Sequence, residues 1–146
     1  MSQALDAWNR LKPYTAGRWL FSRVVCFRAP YFASIRPRFV RLGDGKIEVS
    51  MKKRRRVTNH IGTVHAIAMA NLCELAAGTM IEALLDRSLR WIPKGMDIQY
   101  LAKAGTDVTA RASMPAILPG EAQDAVISVS VTDRNGVEVV AAAITM

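Results

Sequence analysis

The spacing of apolar positions divides the chain into helical and extended stretches. Ser2 to Lys12 and Gly17 to Phe27 have the periodicity of amphipathic helices. Proline cannot continue a helix and disfavours it in the residue before, so Pro13 separates the two and Ala29-Pro30 stops the second. From Arg36 the period becomes two: Phe39, then Ile47, Val49 and Met51 alternate with polar residues, and Gly43-Asp44-Gly45 supplies a hairpin turn. His65 to Leu85 is apolar or small at almost every position, the pattern of a buried helix. Its polar or special residues, Asn71, Glu74, Gly78 and Glu82, are spaced by three, four and four. They form one narrow stripe that must meet solvent, a cavity or another subunit.

Alternation returns after Pro93 and predicts two further hairpins. One joins Met96, Ile98, Tyr100 and Ala102 to Val108, Ala110, Ala112 and Met114 through Ala104-Gly105. The other joins Ile127, Val129 and Val131 to Val137, Val139 and Ala141 across Asp133-Arg134-Asn135-Gly136, where an Asn-Gly pair suits positive φ. The pattern is that of an α+β domain, a long helix wrapped by an antiparallel sheet of about five to six strands. At 146 residues the chain is one domain's worth: residues 1–35 form an N-terminal helical segment and residues 36–146 the core. An edge strand or sheet face this apolar needs covering, so a homodimer is expected, with a tetramer left open.

Charge adds an asymmetry. Residues 1–57 hold 14 Lys and Arg against 3 acids, and residues 58–146 hold 6 against 9. Nucleic acid, anionic lipid, an acidic carrier protein and the phosphates of coenzyme A would all answer such a basic surface. Cys26 and Cys73 show neither metal nor disulfide spacing, so both read as buried thiols of a reducing cytoplasm, and no metal site is expected. Arg18, Arg23 and Arg28 interrupt the apolar stretch Trp19 to Ile35, which is therefore neither signal peptide nor membrane span. Trp19, Phe21, Tyr31 and Phe32 are better used to seal the core than to line a pocket.

Candidate chemistry concentrates in Thr58-Asn59-His60-Ile61-Gly62-Thr63-Val64-His65, between a strand and the buried helix. Two imidazoles, a carboxamide, a hydroxyl and a glycine precede a helix start, whose free amides and dipole would stabilise an oxyanion. The plain alternative is that Asn59 or Thr63 caps the helix, His60 sits in a turn and His65 in the core. Glu74 adds a carboxylate in an apolar run, Leu72-Cys73-Glu74-Leu75-Ala76-Ala77, as a solvated stripe residue or as a general base or nucleophile. On one helix Glu74 and His65 lie ~13 Å apart along the axis and on opposite sides. A symmetric dimer removes the difficulty if the loop of one subunit faces Glu74 of the other.

These residues resemble the hot-dog-fold acyl-CoA thioesterases of the phenylacetyl-CoA thioesterase type. The likeness rests on Asn59, on His65 six later, on an acid nine beyond that, and on Met96-Asp97-Ile98-Gln99-Tyr100-Leu101. Asn59-His60-Ile61-Gly62-Thr63-Val64-His65-Ala66 and Arg90-Trp91-Ile92-Pro93-Lys94-Gly95-Met96 are still more similar to an uncharacterised branch of hot-dog proteins known as a domain of unknown function. The thioesterase resemblance implies that Asn59 and the amides near Ala66 hold the thioester carbonyl, His65 helps position it, and Glu74 of a partner activates water or attacks. Ala66 stands where the family usually has Gly, and Glu74 where it commonly has Asp. His60, Gly62, Thr63, Ala66, Lys94, Tyr100 and Lys103 would complete the binding surface for an acyl-CoA or acyl-carrier thioester, with no cofactor beyond that coenzyme A.

Two rivals belong beside hydrolysis. A non-catalytic acyl-thioester or lipid-binding module would retain the pocket alone, and a hydroxyacyl-thioester dehydratase would use His60 and Glu74, although its usual Pro-Gly context is missing. Lys52-Lys53-Arg54-Arg55-Arg56 ends a predicted strand, so its side chains would alternate between faces; with Lys94 and Lys103 it could reach coenzyme A phosphates or an acidic carrier. Residues 51–57 contain no aromatic to stack on bases, which disfavours nucleic acid as the partner.

Overall fold

Two turn signals do what the sequence demands of them. In the structure, a computed structural model that describes residues 2–85, 89–114 and 122–146, β1 (Arg38–Gly43) folds back onto β2 (Lys46–Met51) through Gly43, Asp44 and Gly45, all three at positive φ. β5 (Val126–Asp133) and β6 (Glu138–Thr145) form the last hairpin. Only Gly136 of its Asn-Gly pair takes positive φ. The Asp133 carboxylate holds this turn, accepting from the amides of Asn135 (2.8 Å) and Val137 (3.0 Å).

The middle hairpin does not form. β3 (Gly95–Tyr100) and β4 (Val108–Ser113) both exist, but the antiparallel sheet runs β1-β2-β4-β5-β6-β3. β4 pairs with β2 and β5 near the middle, whereas β3 pairs only with β6 at one edge. Alternation identifies a strand without naming its partner. The chain between them is a crossing, held where the Val64 amide donates to the Ala104 carbonyl at 2.9 Å. The basic run also departs from expectation. β2 ends at Met51, and Arg55–Val57 is a 3-10 turn.

α3 (Ala66–Leu84) packs on β2, β4 and β5, and its buried Leu72, Leu75, Ala76 and Met80 fill the core against Val49, Ala110, Ile127 and Val129. Its 19 residues and mean hydropathy of 1.3 would suit a membrane span by length and composition, but here it is the core helix. This is the helix-in-sheet arrangement that the hot-dog resemblance implies.

α1 (Gln3–Leu11) and α2 (Gly17–Arg28) follow the predicted bounds, and Pro30–Ile35 continues as a 3-10 turn. α1 contacts α2 and α3, and α2 lies against β1. The two helices meet so closely that a Cβ on Gly17 would collide with the Leu11 carbonyl. Phe21 joins them to the sheet, edge-on to Trp8 (5.2 Å between centroids) and to Phe39 (5.0 Å). Cys26 and Cys73 are free and buried, and burial pushes the Cys73 thiol up to about 12.

Candidate functional site

The loop from Thr58 to His65 folds as a small closed unit. An isolated bridge joins Thr58 to Val64, and the Asn59 amide donates to the Thr63 carbonyl at 2.9 Å. Asn59 organises it: its Oδ1 accepts from the amides of Ile61 (3.2 Å) and Thr63 (3.0 Å), and its Nδ2 donates to the Thr63 hydroxyl at 2.8 Å. Gly62 supplies the positive φ (+78°) that lets the chain turn. His60 is exposed at the tip. Neither Asn59 nor Thr63 caps α3.

The cap is His65. Its Nδ1 accepts from the Ile67 amide at 3.1 Å, while its own amide donates to the Val57 carbonyl at 2.8 Å. An accepting Nδ1 carries no proton, so the exposed ring presents Nε2–H outward as a donor. No described group accepts from the Ala66 amide, which stands at the positive end of a 19-residue helix. Tyr100 reaches this point from β3, its hydroxyl donating to the Ala66 carbonyl at 3.2 Å. Burial pushes the Tyr100 phenol up, and Cys73 adds a smaller contribution in the same direction. Lys103 is exposed one residue before Ala104, whose carbonyl holds Val64. Asn59, His60, Gly62, Thr63, His65, Ala66, Tyr100 and Lys103 therefore share one end of the domain.

Glu74 and Lys94 do not join them. Lys94 precedes β3, at the opposite end of that strand from Tyr100, and its ammonium is paired with Asp124 at 2.6 Å. Glu74 is half-buried two turns along α3 and lines an apolar cavity of about 340 Å³. Ala7, Val25 and Phe32 form one side of the cavity; Glu74, Gly78 and Trp91 form the other. Among the described residues, Glu74 makes no hydrogen bond or ion pair.

Glu74, Gly78 and Glu82 of the α3 stripe thus face a cavity bordered by the N-terminal helices. Asn71 donates to the Ser34 hydroxyl at 3.2 Å, while its buried Oδ1 has no partner among the described residues. Glu82 accepts from the Trp91 indole at 2.9 Å, and a Cβ on Gly78 would lie 2.9 Å from that ring. Sequence reasoning noticed the segment around Trp91 only through resemblance. The signal for its packing was the glycine within the helical stripe, which leaves room for an indole.

The aromatics of the N-terminal segment divide three ways. Phe21 is core as expected, but Phe32 borders the cavity, and Trp19 and Tyr31 are exposed. The basic run splits as well. Lys53 binds Asp107 through its amide (2.8 Å) and Gly105 through its ammonium (3.0 Å), and Arg54 donates to the Ser34 carbonyl (3.0 Å). Among the described residues, no cluster of three His, Cys, Asp or Glu could hold a metal.

A long helix wrapped by a six-stranded antiparallel sheet, with a polar loop at the helix start and a carboxylate on the helix, is the hot-dog fold. The chain belongs to the family described as Domain of unknown function (DUF4442), which matches residues 17–146. A structural-genomics crystal structure is similar at 42% identity over 97% of this chain and 94% of that one, with a TM-score of 0.82. Two more distant structures share the fold. A thioesterase from Haemophilus influenzae is 16% identical over 79% of each chain (TM-score 0.72). A hypothetical thioesterase from Streptococcus pneumoniae, solved with coenzyme A, is 21% identical over 75% of this chain and 86% of that one (TM-score 0.64). No curated protein matches this chain significantly.

Proposed function

We propose that this protein hydrolyses an acyl-CoA or acyl-carrier thioester at a site completed across a homodimer. The observation that carries the reading is the Glu74 carboxylate, without a partner among the described residues, in the wall of an apolar cavity of about 340 Å³, a size at the lower end of small-ligand pockets. A carboxylate in the wall of a ligand-sized cavity is within reach of whatever the cavity holds, as a general base or nucleophile must be.

The division of labour follows from the two ends of α3. The Ala66 amide and the helix dipole of one subunit stabilise the oxyanion, and His65 Nε2–H orients the carbonyl. Asn59, its carboxamide engaged within the loop, fixes the shape of that loop. Glu74 of the partner deprotonates a water that adds to the acyl carbon, or attacks that carbon itself before water releases the acid. Either way the carbon–sulfur bond breaks and coenzyme A leaves as its thiol. Lys103, exposed at the same end of the domain, would meet the phosphates. Lys94 would first have to release Asp124. The reaction needs no cofactor beyond the coenzyme A of the substrate, and the buried free thiols suit a cytoplasmic protein.

Support for the dimer comes from β3, where Met96, Tyr100 and the adjoining Leu101 are exposed at a sheet edge that no described residue covers. The distant thioesterases, one with coenzyme A, support the class of chemistry by likeness of fold. Engagement of Asn59 and of His65 Nδ1 within their own chain favours a second reading, a module that binds acyl thioesters without cleaving them.

Free-thiol release from short, long and aromatic acyl-CoA thioesters separates the two. The wild type should turn over at least one, and Glu74→Gln should bind it but lose roughly a hundredfold or more in rate. Saturable binding with no turnover by the wild type across the panel would establish the module instead.

A further inference from the structure

α2 has a second face that the core does not use. Phe21, Ser22 and Cys26 point inward, while Leu20, Val24 and Phe27 follow at helical intervals on the outside, with Trp19 beside them. Trp19 is 60% exposed and Phe27 87%, and Tyr31 in the following turn is 71% exposed. A well-folded domain rarely leaves so many large apolar side chains together in water without using them.

Arginines frame these residues. Arg18, Arg23 and Arg28 lie on α2, and Arg54, tied to the Ser34 carbonyl beside Tyr31, has Arg36 and Arg56 as like-charged neighbours. Between Asp6 and Asp44 the sequence holds eight cations and no acid. Exposed aromatics and aliphatics fringed by arginine are the side-chain set of a surface that enters the boundary between headgroups and acyl chains. Trp and Tyr settle at that depth, and the guanidinium groups meet lipid phosphates.

We propose that the outer face of α2 and the turn after it is a peripheral docking surface for an anionic lipid bilayer. A second copy fits it poorly, because it would bring the same positive charge. A dimer formed through β3 leaves it open too, since α2 packs on β1 at the opposite edge of the sheet. Single-stranded nucleic acid would stack on the aromatics but gain little from Leu20 and Val24. Lipid uses both kinds of side chain. Val24 and Arg28, at the margin of this face, also border the apolar cavity together with Val25, so docking would bring that cavity beside a source of acyl chains. The surface stands whether or not Glu74 is catalytic.

The test is co-sedimentation of the full chain with phosphatidylcholine vesicles, with and without about 30% phosphatidylglycerol, at low and high salt. Binding should require the anionic lipid, weaken with salt, and fall about tenfold or more in the double variant Trp19→Glu, Phe27→Glu. Neither residue lines the cavity, so the variant's melting temperature and its saturable binding of soluble acyl-CoA should match the wild type. Equal binding to both vesicles, no binding, or an unchanged double variant would overturn the proposal. So would tighter, salt-sensitive binding to a mixed single-stranded oligonucleotide that the double variant loses, or light scattering showing that the variant splits a larger assembly; these would give the face to nucleic acid or to a second copy.

Discussion

The two edges of the sheet are built on opposite plans. β1 is closed within the chain: a bulge between Phe39 and Arg41 distorts it, α2 lies against it, and the Phe39 amide donates to the Ser22 hydroxyl at 3.0 Å. That hydroxyl in turn donates to the Arg18 carbonyl at 2.8 Å, so an edge amide is tied into a helix. β3 is left open, its residues mostly exposed on both faces and nothing described bonded to its outer side. The candidate loop, the Ala66 amide, which has no acceptor among the described residues, and Tyr100 all gather near the open edge. On the proposed reading, the bare edge is where a second subunit would pair.

Substitutions can break this contrast. The largest expected effect is at the sealed edge, where Phe21→Ala removes a ring packed edge-on against both Trp8 and Phe39; it should cost about 3–5 kcal/mol in chemical denaturation. At the open edge, Leu101→Arg should change protomer stability by no more than about 0.5 kcal/mol while weakening self-association in sedimentation velocity about tenfold. A Leu101→Arg protein that melts as early as Phe21→Ala, or that still associates at wild-type strength, would mean that the edges do not differ in kind.

What was legible in the sequence follows the range of the interactions. Gly43-Asp44-Gly45 and Asp133 to Gly136 announced their hairpins because a tight turn is written in adjacent residues. The buried helix was legible from its composition, and its stripe from spacing alone. β3 was read as a strand but given the wrong neighbour, since its pairing with β6 is set by closure of the whole sheet, between residues as far apart as Gly95 and Thr145.

The site divides in the same way. His65 and the helix start were found together, but the sequence reads alike whether Asn59 caps a helix, holds a carbonyl or closes its own loop. Only the geometry shows the third. The cavity beside Glu74 was invisible, because Ala7, Val25, Phe32 and Trp91 reach it from three separate segments. Trp19 and Tyr31 were assigned to the core because aromatic spacing does not reveal which face of a helix is covered.

Mixing two defective proteins tests the proposed shared site most directly. His65→Ala and Glu74→Gln, each expected to be nearly inactive in thioester hydrolysis, are unfolded together and refolded so that subunits exchange at random. Half the resulting dimers would be mixed, and each would hold one site with an intact His65 from one chain and an intact Glu74 from the other, so about a quarter of the wild-type rate should return. A mixture no more active than its components would contradict a site built across two subunits.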